Sequence, residues 1–167
     1  MKSIKIPKGT ILLRPNEICK SGYKVKMGCL KSYVINSSGK EHIIQFAPEN
    51  WLISDLESFT KGTKSKIFID AVEDSEVEIL DKNYFPEFEE MEHVMLLGLS
   101  TKLRNNLIAT NNRLISLLSS TSEERYFEFT KTYPQLVQRL PQKLIASYLG
   151  MTPEHLSYIK GKLAKKG

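Results

Sequence analysis

Residues 142–161 read QKLIASYLGMTPEHLSYIKG, and the rest of the chain is best read outward from them. Two helices that cross steeply need a very small side chain where their axes approach, and Ala146 supplies it. Ile145 and Leu149 give the first helix its apolar face, and Leu156 and Ile159 give the second a matching one. Between them the chain has about three residues in which to turn, through a left-handed backbone conformation that Gly150 reaches at little steric cost. Thr152 caps the second helix, with Pro153 at its first position, where a missing N–H costs nothing. Pro141 similarly opens the first helix.

This spacing predicts a helix-turn-helix whose second helix lies in the major groove of double-stranded DNA. Setting aside the apolar positions leaves Thr152, Glu154, His155, Ser157, Tyr158 and Lys160 as candidate contacts, with Lys143 on the first helix. Glu154 can accept from cytosine N4, Ser157 and His155 can bond bases or phosphate, and Lys160 and Tyr158 suit phosphate. A helical hairpin that merely happens to carry Gly and Thr-Pro at its turn is the bland alternative. Charge argues against it. The 167-residue chain carries a net charge of +5. All of that excess falls after residue 134, where Arg139, Lys143, Lys160, Lys162, Lys165 and Lys166 face one acid, Glu154. Clustered cations of this kind neutralise phosphates and release counterions.

Upstream, the region from Ile4 to Leu80 reads as short strands and turns. Residues 10–13 form a β-rich run, residues 22–34 alternate apolar and polar side chains, and Ile43, Ile44 and Phe46 follow a turn at Ser37-Ser38-Gly39-Lys40. A less regular stretch runs to Lys66, and two further strands, residues 67–72 and 77–80, flank an acidic turn. This pattern predicts an antiparallel sandwich or barrel.

From Glu87 to Ser119 the apolar period becomes helical, with Pro86 marking the entry. Leu96, Ser100, Leu103, Leu107, Thr110, Leu114 and Leu117 recur at alternating steps of four and three, a heptad seam suited to pairing two copies of the chain. Met95, Leu99, Ile108, Ile115 and Leu118 form a second apolar edge beside it. Thr121 or Ser122 then caps a further helix running to Lys131. The expected organisation is a β domain over 1–86, a dimerisation helix over 87–119 and a helix-turn-helix domain over 120–167.

Enzyme chemistry finds little purchase. His42, His93 and His155 are far apart in sequence, and only His42 lies in the β region, which is too few for a metal-dependent barrel enzyme. No Ser/His/Asp or Cys/His set has sensible context, and the TKGTKS patch lacks the glycine spacing of a phosphate loop. Cys19 and Cys29 are read as buried thiols rather than a disulfide. Neither a secretory signal nor a membrane-spanning run is evident, so a cytoplasmic, non-enzymatic regulator without metal is expected.

With a β-roll, a heptad helix and a terminal helix-turn-helix in that order, the chain resembles the Crp/Fnr family of transcription regulators over nearly its full length. The stretch RLPQKLIASYLGMTPEHLSYIKGKL, residues 139–163, looks like the short-tailed members found in Bacteroidetes. The resemblance implies an α+β fold: an antiparallel β-roll of the cyclic-nucleotide-binding type, a long helix pairing two copies, and helical domains that bind two DNA half-sites. RNA polymerase is a further candidate partner. In the nucleotide binders of the family a Gly-Glu is followed, about ten residues later, by an Arg-Ser that holds the cyclic phosphate bidentately. Here Ser54, Asp55 and Ser65 stand at the glycine, glutamate and arginine positions. A lysine is no substitute for that guanidinium, so the resemblance implies that cyclic AMP does not bind. Ser54, Asp55, Lys64, Ser65 and Lys66 remain a candidate pocket for another small effector, without an assigned cofactor. Tyr158 stands where the family has an arginine, and the helix that generally precedes the roll is missing. The competing expectation is therefore a sensor or interaction module of the same fold that no longer reads specific DNA.

Overall fold

A computed structural model of the chain describes residues 2–81 and 93–165. Eight strands open it: β1 (Lys2–Ile6), β2 (Ile11–Leu13), β3 (Ser21–Met27), β4 (Leu30–Ile35), β5 (Glu41–Ala47), β6 (Leu52–Ile53), β7 (Phe68–Ala71) and β8 (Ser75–Asp81). A short helix, α1 (Leu56–Lys61), interrupts them. The strands form two four-stranded antiparallel sheets, ordered β1-β8-β3-β6 and β2-β7-β4-β5. Val25, Leu30, Ala47, Ile69 and Val77 fill the space between them and are fully buried.

The alternating run over residues 22–34 is not one strand. It breaks at Gly28, whose φ of +90° turns the chain out of the first sheet and into the second. The turn between β7 and β8 makes the reverse crossing at the same place: a Cβ on Gly28 would lie 2.3 Å from Ser75 Oγ and 2.7 Å from the Asp74 carbonyl oxygen. Two sheet crossings are thus nested, and only a residue without a side chain lets them touch. Cys19 and Cys29 are free and buried, and burial pushes the Cys29 thiol up to about 12.

Among the described residues, five helices follow: α2 (His93–Ser119), α3 (Ser122–Thr132), α4 (Pro134–Arg139), α5 (Gln142–Tyr148) and α6 (Pro153–Ala164). The expected helix entry at Pro86 and Glu87 lies outside the described residues. Thr121 caps α3 through a capping box, its hydroxyl accepting from Glu124 N–H while the Glu124 carboxylate accepts from Thr121 N–H. The sequence pattern marks no element over 134–139, yet Pro134 starts a helix there as naturally as Pro153 does at α6.

The division into β domain, linking helix and terminal domain does not divide the core. Tyr33, Ile43, Phe46 and Val72 of the roll pack in one apolar cluster with Tyr126, Phe129, Leu136, Leu144 and Ile145. By contrast α2 buries no residue fully. Its Lys102 reaches back to the Asn50 carbonyl and its Arg113 to strand β5, while Val94, Leu97, Ile108, Ile115 and Leu118 are exposed.

Candidate nucleic-acid interface

The turn between α5 and α6 is a Schellman motif: Met151 N–H donates to the Ala146 carbonyl (3.0 Å) and Gly150 N–H to that of Ser147 (3.2 Å). Gly150 sits at φ +68°, the left-handed conformation that this closure requires. The Thr152 hydroxyl accepts from His155 N–H and caps α6. Ala146 is wholly buried, as are Leu156 and Ile159, so the two helices meet across the small side chain.

That packing fixes which face of α6 is free. Thr152, Glu154, His155, Ser157, Tyr158 and Lys160 are all exposed, as is Lys143 on α5. His155 and Tyr158 stack at 6.3 Å, one turn apart. The Glu154 carboxyl is held below the usual carboxylate range by its backbone N–H, with Thr152 and the nearby Lys40 adding to the effect. It is therefore an acceptor at neutral pH, as contact with a base amino group requires.

Not all of the tail's positive charge is available. Lys162 is paired with Glu123 of α3. Arg139 is held bidentately by Glu49 (3.0 and 2.8 Å) and is also paired with Glu73. Among the described residues, Lys143, Lys160 and Lys165 take part in no ion pair. Lys166 lies outside them.

The Arg139 clamp joins the end of α4 to the roll, and Glu49 also accepts from Gly28 N–H (3.0 Å), so the sheet crossing and the terminal domain share a carboxylate. The guanidinium holds the Glu49 carboxyl below its ordinary value. A depressed carboxylate adds stability above its unfolded pKa, about 4.3, and loses it as pH falls through the folded value. The stability difference between wild type and Arg139→Gln is accordingly expected to be full at pH 7 and to shrink below about pH 4. Denaturant melts of both proteins across that range check it.

The second attachment is to strand β5, an edge of its sheet. Ser147 Oγ accepts from Ile43 N–H (3.1 Å) and donates to the Glu41 carbonyl (2.7 Å). Arg113 donates to the Ile43 and Ile44 carbonyls (2.8 and 2.9 Å). Sequence patterns single out neither Ser147, Arg113 nor Arg139 for these attachments. No local pattern marks a side chain whose partners lie 66 to 106 residues away.

In the roll, Asp55 caps α1 by accepting from Ser58 N–H, and its other oxygen accepts from Ser65 Oγ at 2.8 Å. These two positions of the expected pocket therefore bond each other. Ser54 is half-buried beside them. Lys64 and Lys66 are exposed, and Lys66 pairs loosely with Glu57 (3.8 Å). On α2, the expected seam is split: Ser100, Leu107, Thr110 and Leu114 are exposed, whereas Leu96, Leu103 and Leu117 are half-covered by the chain itself. The exposed apolar side chains of α2 are Val94, Leu97, Leu107, Ile108, Leu114, Ile115 and Leu118, which draw on both the seam and the second edge. Arg113 bonds the roll and Leu117 lies against the α5–α6 turn, which fixes how α2 is turned about its axis.

A β-roll, a long helix and a helix-turn-helix arranged in this way define a class of transcription regulators. The sequence profile of the cyclic nucleotide-binding domain matches residues 3–91. The chain is 27% identical to the regulatory protein HlyX of Actinobacillus pleuropneumoniae over 97% of its own length and 71% of the relative's. It is 28% identical to the anaerobic regulatory protein of Haemophilus influenzae, covering 97% of this chain and 66% of that one. Among solved structures, FixK2 from Bradyrhizobium japonicum shares the fold at a TM-score of 0.80 and 18% identity, over 99% of this chain and 85% of that one. A Crp/Fnr regulator from Thermus thermophilus matches at 0.73 and 17%, over 99% and 87%. The chain belongs to the cyclic nucleotide-binding domain family, as a transcriptional regulator of the Crp/Fnr type. Among the described residues no helix is long and apolar enough to cross a membrane.

Proposed function

We propose that the protein is a cytoplasmic, homodimeric, non-enzymatic regulator that binds double-stranded DNA through α6 and does not respond to cyclic nucleotides. The exposed polar face of α6, held out by the Ala146 crossing with three uncommitted lysines around it, carries this reading. Glu154, His155 and Ser157 face base edges; Thr152, Tyr158, Lys143 and Lys160 hold the backbone. Two copies offering Lys143, Lys160 and Lys165 make about six phosphate contacts, so log affinity for random duplex is expected to fall with log salt at a slope near −5. Anisotropy titrations at two salt concentrations read this slope. Absence of binding even at low salt would favour the second reading, a sensor module without DNA, for which Tyr158 at the family's arginine position speaks.

Loss of nucleotide binding is supported by the Asp55–Ser65 bond, which occupies two positions of the phosphate cradle. Dimerisation is supported by the exposed stripe on α2, since apolar side chains at heptad spacing on a helix with nothing across from it need a partner. Ile115→Glu combined with Leu118→Glu is expected to give monomers and at least a tenfold weaker duplex affinity, read by sedimentation and anisotropy. An unchanged dimer mass would place the seam elsewhere.

A further inference from the structure

The roll and the helix-turn-helix meet along a groove of about 500 Å³. Lys8, Lys31 and Lys40 of the roll line one side, and Lys143 of α5 with Pro153, the first residue of α6, lines the other. Lys31 is buried and already engaged by the groove's two carboxylates, Glu41 (2.7 Å) and Asp70 (3.5 Å). Lys8, Lys40 and Lys143 are exposed and, among the described residues, take part in no ion pair.

Backbone hydrogen bonds hold these lysines in place. Lys8 lies between β1 and β2 in a turn closed by Thr10 N–H on the Pro7 carbonyl (3.1 Å), and its own N–H donates to the Asp74 carboxylate (2.8 Å). Lys40 ends the β4–β5 turn, where its N–H donates to Asn36 Oδ1 (2.9 Å) and its carbonyl accepts from Asn36 N–H (3.1 Å). The carbonyl of the next residue, Glu41, accepts from Ser147 Oγ, and Lys143 lies one helical turn before Ser147 on the same face of α5. Lys40 and Lys143 therefore flank one joint. Lys40 is also near enough to Glu154 to help draw its carboxyl down, which puts it beside the first turn of α6.

We propose that this groove is a second DNA contact, in which Lys8 and Lys40 of the roll grip the phosphate backbone flanking the half-site that α6 reads. Fixed cations continuous with the base-reading helix match a phosphodiester strand leaving the major groove, and they carry no sequence information of their own. The contact rests on the reading of α6 as a DNA-binding helix and lengthens its footprint. Bound duplex then bridges the roll and the helix-turn-helix, so it favours the same placement of the two that Ser147 and Arg139 hold.

Two duplex lengths separate the contacts. About 16 base pairs cover two major-groove sites one helical turn apart, and about 36 add a turn at each end for the roll to hold. On the short duplex the salt slope is expected to stay near −5; on the long one, four further contacts in the dimer steepen it to about −9. Lys8→Gln combined with Lys40→Gln is expected to return the long-duplex slope to about −5 and to weaken long-duplex affinity at least tenfold at about 50 mM salt, with short-duplex affinity unchanged. Lys2→Gln combined with Lys20→Gln removes the same charge from exposed roll lysines outside the groove and is expected to bind as wild type does. Equal slopes on the two lengths, a wild-type long-duplex slope from the groove variant, or an equal loss from the control variant overturns the proposal. Each of these leaves short-duplex binding, and with it the reading of α6, intact. Binding of neither duplex by the wild-type protein overturns both.

Discussion

Replacing Ala146 by leucine is expected to abolish duplex binding while the β-roll stays folded. Ala146 has no solvent exposure, and its neighbours Leu149, Leu156 and Ile159 are almost as fully buried. Three added carbons have no void to enter, and overpacking of this kind costs about 1–3 kcal/mol. The helices must separate to relieve it, and separation moves α6 bodily relative to α5 while breaking the Met151 to Ala146 hydrogen bond that closes the turn. A groove-reading helix displaced by even an ångström loses base-edge geometry along its length. The measurement is anisotropy with duplex DNA, alongside near-ultraviolet circular dichroism of Trp51 as a report on the roll. Wild-type affinity in the leucine variant would show that the crossing does not depend on this position.

A larger loss of stability is expected from Gly28→Ala. The residue adopts φ +90°, where an L side chain is strained by about 1–2 kcal/mol. Its new Cβ would also meet Ser75 Oγ at 2.3 Å and backbone atoms of Asp74 and Ser75 at 2.7 and 2.8 Å. The opposing atoms are mostly main chain, so relief means parting the β3–β4 and β7–β8 crossings. Together these effects cost on the order of 2–5 kcal/mol, a large share of the stability of a typical domain. Gly28 N–H also donates to Glu49, the carboxylate gripping Arg139, so the variant is expected to loosen the terminal domain as well. Urea titration followed at Trp51 would measure the first effect, and proteolysis at α4 the second. A midpoint unchanged from wild type would contradict the nested-crossing description.

What could be read beforehand was whatever is encoded locally. The Gly150 turn, the Thr152 cap and the Leu156 and Ile159 face each depend on residues within a few positions, and periodicity places them. The strand region was legible as strands, but the partition of residues 22–34 between two sheets was not: alternation looks the same on either side of Gly28, and only the distant Ser75 explains the break. Helix α4 escaped notice because six residues between two prolines give too short a window for a period. The rotation of α2 was hidden for a different reason. Two apolar edges lay side by side in the sequence, and Arg113, whose backbone acceptors no pattern announces, turns the helix so that residues of both stay exposed. Likewise the basic tail advertised six cations without revealing that Glu49, Glu73 and Glu123 draw two of them inward.

The way Ser147 and Arg113 satisfy strand β5 has an outcome for solubility. An unpaired strand margin is an adhesive surface, open to the same margin on another molecule. Here a hydroxyl and a guanidinium stand in for the missing neighbour, and α5 shields the Glu41 and Ile43 main-chain groups. Any swing of the reading head large enough to strip α5 from the roll bares a template for cross-strand stacking. Self-association should therefore rise in step with the freedom of the head, and a tethered head doubles as a guard against clumping.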